Sequence, residues 1–162
     1  MPSIAVGEML PDGTLTYFNE IGNLKPVSIH ALAAGKKVVV LGVVGAFTPR
    51  CSWLHVQGFI DRYEELKAKG IEDILVISVN DAFTMKAWKS WYPDTKNMKF
   101  LGDGSAKYTY TLGMELDLSN NGLGVRSRRY ALVVDDLEIV IAKVESGGDY
   151  TVARVFDILA AL

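Results

Sequence analysis

Two apolar runs constrain the fold of this chain more than any other feature. Residues 38–44 and 74–79 are rich in Val, Ile and Leu, as expected of strands that are covered on both faces. Between them, apolar residues recur at three- and four-residue spacing over 52–69, which predicts one long amphipathic helix ended by Gly70. A buried strand, a helix and a second buried strand form a parallel crossover unit, so we expect an α/β sandwich.

The remaining patterns place further elements around this unit. Thr14–Phe18 is typical of an edge strand or hairpin arm, and Ser28 should cap a short helix. Asp81 should cap a helix that stops before Pro93. The other predicted elements are a strand over 98–101, a helix over 105–113, a hairpin over 130–144 and a final helix over 152–162. This order matches a thioredoxin-like core with a central mixed sheet, in a single domain over residues 1–162.

Size, charge and composition exclude several classes of protein. The chain has 162 residues and a formal net charge of −2, and its basic residues cluster only at 126–129, so we do not expect nucleic-acid binding. No apolar run approaches the roughly 20 residues that cross a bilayer. The N-terminus lacks the pattern of a signal or transit peptide. We therefore expect a cytoplasmic protein without membrane association.

The single cysteine, Cys51, is the main candidate for chemistry. A lone cysteine is usually a small buried hydrophobe, but this one follows the 38–44 strand and a glycine-containing loop, and it opens the predicted helix. A helix N-terminus and the neighbouring Arg50 both favour the thiolate. This context favours an accessible, reactive thiol. With no second cysteine, no internal disulfide can form.

Two side chains near Cys51 could assist it. The Thr48 hydroxyl could exchange a hydrogen bond with the thiol, or it could simply occupy the helix N-cap region. His55 lies one helical turn after Cys51 and could act as its base, although a packed or hydrogen-bonded histidine is the commoner case. Only two histidines are present, so neither a zinc site nor another metal site is expected. No bound cofactor is expected either.

An arginine cluster precedes the first strand of the predicted hairpin. If that strand neighbours residues 38–44 in the sheet, one of Arg126, Arg128 and Arg129 could reach the thiolate and stabilise negative charge on a departing oxygen. Alternation along a strand would send Arg128 and Arg129 to opposite faces. Only one of these two should therefore point at the site, and a purely solvated cluster is the alternative.

The loop around the cysteine resembles that of a known family. Residues 45–51, GAFTPRC, are similar to the P-G-A-F-T-P-T-C loop of type II (plant-type, atypical) peroxiredoxins. Further segments that resemble the family in the same order are 52–58, 77–81, 85–88, 103–105, 122–124 and 126–129. The resemblance spans essentially the whole chain. It implies a thioredoxin fold and thiol-dependent reduction of hydrogen peroxide and alkyl hydroperoxides.

The resemblance also implies roles for individual residues. Cys51 would be the peroxidatic nucleophile, Thr48 its hydroxyl partner, and Arg129 the arginine that holds thiolate and peroxide. The substrate pocket would be formed by Val44, Gly45, Phe47 and Arg50. The family commonly forms homodimers with the active-site loops near the interface, and Trp53 and Trp91 could serve such an interface or belong to the core.

Several residues depart from the family pattern. Val44 stands where the motif begins with proline, which we expect to loosen the pocket and lower the rate. Arg50 replaces a small threonine and would add bulk and charge at the pocket mouth. Gln57 and Ala82 also stand where prolines are usual. These changes motivate an alternative hypothesis, in which the chain is a catalytically impaired paralogue that acts as a redox-sensing or partner-binding module.

One departure concerns the catalytic cycle itself. Val76 occupies the position where many relatives carry a second, resolving cysteine. Oxidised Cys51 would therefore need an external thiol, such as glutathione with glutaredoxin, or thioredoxin. An unrelated thiol transferase is disfavoured because the chain has no C-x-x-C motif.

Overall fold

A computed structural model describes residues 4–162 of the protein. The strands are β1 Thr14–Phe18, β2 Leu24–Ser28, β3 Lys37–Val43, β4 Asp73–Ser78, β5 Lys99–Gly102, β6 Glu115–Leu118, β7 Gly124–Ser127, β8 Tyr130–Asp135 and β9 Glu138–Val144. The helices are α1 Ile29–Ala33, a π-helix Cys51–Val56, α2 Gln57–Asp61, α3 Tyr63–Ala68, α4 Ala82–Trp91, α5 Lys107–Thr111, a 3₁₀ turn Ser119–Asn121 and α6 Val155–Ala161. Within this described part, no helix is both long enough and apolar enough to cross a membrane.

A seven-stranded mixed sheet forms the centre of the molecule, in the order β2-β1-β5-β4-β3-β8-β9. Strands β3, β4 and β5 are parallel, whereas β8 is antiparallel to β3. The predicted thioredoxin-like fold with a mixed sheet is confirmed. Gly42 near the end of β3 pairs with Tyr130, the first residue of β8. This pairing brings the loop that leads to Cys51 beside the arginine cluster, as the sequence hypothesis required.

The two faces of the sheet bury separate apolar layers, because successive side chains of β3 point to opposite sides. Val38 and Val40 belong to one layer, which also contains Tyr108 and Tyr130. The other layer is covered by the π-helix and helices α2, α3, α4 and α6. Its members include Val39, Leu41, Val43, Cys51, Phe59, Trp88 and Ile158. Cys51 therefore faces the core from the helical side.

The prediction of one long helix over 52–69 is wrong. Helical backbone begins already at Pro49, so Cys51 lies inside the first turn. The chain then forms the π-helix, α2 and α3, with a break at Arg62, whose φ is −105° and ψ 17°. A π-helical turn accommodates one extra residue per turn. It buries Cys51, Ser52, His55 and Val56 and leaves the intervening Trp53 and Leu54 exposed.

Candidate active site

The thiol of Cys51 is buried and has no exposed surface. It belongs to the apolar layer that includes Leu41, Val43 and Val56. It is present as a free thiol. The expectation of an accessible thiol is therefore wrong for this folded state, because the wide π-helical turn directs the side chain inward.

The loop before Cys51 is a tight turn held by one hydrogen bond within the turn and one to Asn80. The Thr48 hydroxyl donates to the Gly45 carbonyl at 2.7 Å, and the Ala46 N–H donates to Asn80 Oδ1 at 3.0 Å. Phe47 has a φ of 64°, a left-handed conformation that a residue with a side chain seldom adopts. Because its proton is used by Gly45, the Thr48 hydroxyl can offer only its oxygen lone pairs to a group in the pocket.

Ser52, the residue after Cys51, is fixed by two aromatic side chains of α4 and its C-terminal end. Trp88 Nε1 donates to Ser52 Oγ at 3.0 Å, and the Tyr92 hydroxyl donates to the Ser52 carbonyl at 2.9 Å. Burial raises the pKa of Tyr92 above its ordinary value, so its hydroxyl keeps the proton that it donates. Sequence analysis missed this contact, for which the four-residue spacing of Trp88 and Tyr92 was the available signal.

Arg129 is 99% buried, and its hydrogen-bond partners are all neutral. Its Nε donates to the Asp149 carbonyl at 3.1 Å, and its Nη1 donates to His55 Nδ1 at 3.0 Å. Its backbone N–H donates to the Gly147 carbonyl at 2.8 Å. Within the described chain no carboxylate forms an ion pair with it. Buried charges are normally paired, whereas this guanidinium has no direct ion-pair partner among the described residues.

His55 is buried beside Arg129 and is neutral. Burial first, and the positive charge of Arg129 second, lower the pKa of His55 to about 3. Since Nδ1 accepts from the guanidinium, the ring proton is on Nε2. The Ala153 backbone beside the ring acts to raise the pKa, but Nε2 forms no hydrogen bond of good geometry among the described residues. His55 is thus a hydrogen-bonded, packed histidine that contacts Arg129, and it does not act as a base on Cys51.

The other two arginines of the cluster have different hydrogen-bond partners. Arg128 Nε donates to the Glu145 carbonyl, so only Arg129 of this adjacent pair joins His55, in line with strand alternation. Arg126 Nη1 donates to the Val79 carbonyl at 2.9 Å. It also lies against the active-site loop, because a methyl group on Gly45 would be 3.4 Å from it. Sequence analysis did not separate Arg126 from the rest of the cluster.

Two departures from the family pattern contact one loop. Arg50 Nη1 donates to the Gly148 carbonyl at 3.0 Å, so its guanidinium is tied to this loop. Val44 lies against the same residue, since a methyl group on Gly148 would be 3.4 Å from Val44 Cγ2. The substitutions therefore join the loop before Cys51 to the loop that holds Arg129.

Comparisons with known proteins agree with this geometry. The Redoxin family model matches residues 5–159. The chain is 57% identical to Peroxiredoxin-2B of Arabidopsis thaliana and 56% identical to Peroxiredoxin-2C of Oryza sativa subsp. japonica, over 162 residues and the full length of both chains in each case. The crystal structure of reduced Prx3 in complex with H₂O₂ from Vibrio vulnificus matches with a TM-score of 0.91 at 41% identity, covering 98% of each chain.

The fold and these matches define a thiol peroxidase of the redoxin class, an oxidoreductase with a thioredoxin-like core. Within that class, the chain belongs to the type II peroxiredoxin family.

Proposed function

We propose that the protein reduces hydrogen peroxide and alkyl hydroperoxides through a single peroxidatic cysteine, Cys51. The observation that carries this proposal is the buried guanidinium of Arg129, whose hydrogen-bond partners are all neutral. It precedes β8, the strand next to the one that leads to Cys51. Its guanidinium contacts His55, which lies in the same π-helix as Cys51, and a positive charge close to a thiol favours the thiolate. Arg129 is therefore suited to hold the reactive thiolate.

The proposed chemical step is a displacement at the peroxide O–O bond. The Cys51 thiolate attacks one oxygen, an S–O bond forms as the O–O bond breaks, and the second oxygen takes a proton and leaves as water or alcohol. Cys51 is thereby oxidised to sulfenic acid. Arg129 would stabilise the charge on the departing oxygen. The Thr48 hydroxyl oxygen would accept a hydrogen bond from the peroxide, with Val44, Gly45, Phe47 and Arg50 around the pocket.

Regeneration must use an external thiol because the chain has one cysteine. A first thiol attacks the sulfenic sulfur, releases water and forms a mixed disulfide, and a second thiol then frees Cys51. We propose glutathione with glutaredoxin, or thioredoxin, as the source. Since the sulfur has no exposed surface, the π-helix Cys51–Val56 must open before a protein thiol can reach it.

We further propose that the protein is cytoplasmic and works as a homodimer. Trp53, Leu54 and Trp91, here called the Trp53 patch, are 62%, 48% and 43% exposed. The two tryptophan rings pack edge to face at 4.8 Å. Large exposed aromatic groups beside a site support a protein interface.

Single-turnover oxidation tests the proposed function. Reduced protein is mixed with hydrogen peroxide, and sulfenic acid at Cys51 is trapped with dimedone and located by mass spectrometry. We expect sulfenic acid to form far faster than on free cysteine, and Cys51→Ser to abolish peroxide consumption. A rate equal to that of free cysteine would contradict the proposal and favour the impaired, redox-sensing alternative. Turnover with each candidate thiol then identifies the reductant.

A further inference from the structure

We propose that Glu145 is a positioning residue for the peroxidase reaction. Its carboxylate closes the segment 146–153, here called the Glu145 loop, and the carbonyl groups of that loop hold Arg129. This inference rests on the role given to Arg129 in the proposed function. Glu145 itself contacts neither Cys51 nor the pocket residues that the sequence predicted.

Glu145 is a buried carboxylate, 2% exposed, that binds the far end of its own loop. Its oxygens accept from the N–H groups of Thr151, Val152 and Ala153 at 2.7, 2.7 and 2.9 Å, and from the Thr151 hydroxyl at 2.7 Å. Burial acts to raise the pKa of Glu145, but these hydrogen bonds outweigh it and the pKa is lowered. The carboxylate is thus ionised and fully engaged by the loop.

The loop closed in this way binds both the backbone and the side chain of Arg129. Glu145 N–H donates to the Arg129 carbonyl at 2.9 Å, and Arg129 N–H donates to the Gly147 carbonyl at 2.8 Å. The guanidinium Nε then donates to the Asp149 carbonyl at 3.1 Å, with the Gly148 carbonyl at 3.4 Å. Consecutive carbonyl groups of one loop therefore fix both the backbone and the head group of this arginine.

The charge of Glu145 and its positioning role have opposite effects on the stability of the Cys51 thiolate, so an experiment can distinguish them. As a negative charge alone, Glu145 would disfavour a thiolate at Cys51, so neutralising it would favour the thiolate. Because its hydrogen bonds close the loop, Glu145 also keeps the Arg129 guanidinium in place. Weakening these hydrogen bonds would therefore disfavour the thiolate. Glu145→Gln keeps the size of the side chain but offers one acceptor oxygen to four donors and adds an N–H₂ group.

The experiment measures single-turnover oxidation by hydrogen peroxide as a function of pH. For Glu145→Gln we expect the rate to fall on the order of tenfold to a hundredfold, as for other small misplacements of catalytic groups, and the midpoint of the pH profile to move to higher pH. Thr151→Val removes one donor, keeps the charge and should shift the midpoint in the same direction by less. Thr151→Val also tests the proposal if Glu145→Gln fails to fold.

Asp103→Asn is the matched control. Asp103 is 4% exposed and binds Tyr108 N–H, Thr109 N–H and the Thr109 hydroxyl at 3.1, 2.8 and 2.7 Å. It binds backbone and side-chain donors of helix α5, far from Arg129 in the sequence, with the same chemistry. We expect this variant to lose stability without a shift in the pH midpoint.

The outcomes separate this inference from the proposed function. A midpoint that stays in place or moves to lower pH in Glu145→Gln and Thr151→Val, while Arg129→Lys impairs oxidation, overturns the role of Glu145 alone. If Arg129→Lys also leaves rate and midpoint unchanged, the proposed role of Arg129 fails, and the role of Glu145 fails with it.

Discussion

His55 makes the folded protein sensitive to acid. The pKa of this buried side chain is about 3 in the folded state, against about 6.5 for an unperturbed histidine in the unfolded chain. Between these two values the unfolded chain binds a proton that the folded protein does not. The free energy of unfolding must therefore fall as the pH drops from about 6.5 towards 3.

This argument predicts a measurable difference for one substitution. Between pH 7 and pH 5, His55 should lower the free energy of unfolding by about 2 kcal/mol. Denaturant unfolding of the wild type and of His55→Asn at both pH values tests this, because only the change with pH is compared. Between pH 7 and pH 5, the free energy of unfolding of the wild type should fall by about 2 kcal/mol more than that of the variant. Equal losses in the two proteins would show that His55 is not held neutral.

The residues of the site were predictable from sequence, but their contacts were not. The GAFTPRC loop identified Cys51 and Thr48, and the resemblance singled out Arg129 within its cluster. The hydrogen bond from Arg50 to Gly148 joins residues 98 positions apart. Local spacing carries no information on such a pair, so the tied-down position of Arg50 could not be inferred.

At the scale of single elements, the π-helix explains why sequence analysis missed the burial of Cys51. Apolar spacing of three and four residues is the same for a regular helix and for one that contains a wide turn. The extra residue in the turn Cys51–Val56 rotates Cys51 and Ser52 inward and Trp53 outward. The spacing alone therefore predicted the existence of the helix but not its break into three parts.

The aromatic contacts of Ser52 should hold this turn closed. Tyr92→Phe removes the donor to the buried Ser52 carbonyl, and an unpaired buried polar group costs about 1–3 kcal/mol. We expect that loss in denaturant unfolding, together with faster labelling of Cys51 by a thiol reagent under native conditions.

Tyr110→Phe provides the comparison, because its side chain is 53% exposed. It should change neither the stability nor the labelling rate. Unchanged labelling in Tyr92→Phe would mean that the Ser52 contact does not control opening of the turn.

At the scale of the whole molecule, the sheet was largely predictable and its edges were not. The apolar runs in β3 and β4 determine the parallel centre of the sheet. Strand β2 is mostly exposed and contains Pro26, which is tolerated on an edge strand and gives no strand pattern. The small β6–β7 hairpin alternates too weakly to be predicted from the sequence.

The proposed homodimer gives a prediction at the same scale. Trp53→Glu places a charge in the Trp53 patch and should convert a dimer to monomers in sedimentation equilibrium, since a charge buried in an interface without a partner is unfavourable. Phe83→Glu changes an equally exposed aromatic residue that packs on Phe18. This control should remain dimeric. A wild type that sediments as a monomer at all concentrations would contradict the proposal.

The burial of Arg129 among neutral hydrogen-bond partners has a thermodynamic consequence. Moving a guanidinium from water into a protein interior without a direct ion pair is unfavourable. Hydrogen bonds to carbonyl groups offset only part of this desolvation penalty. An anion that forms in the pocket, either the thiolate or the oxygen that leaves the peroxide, is stabilised by this guanidinium and offsets more of the penalty. Under the proposed mechanism, the free energy spent in folding to bury a guanidinium without a direct ion pair therefore contributes to lowering the barrier of the reaction.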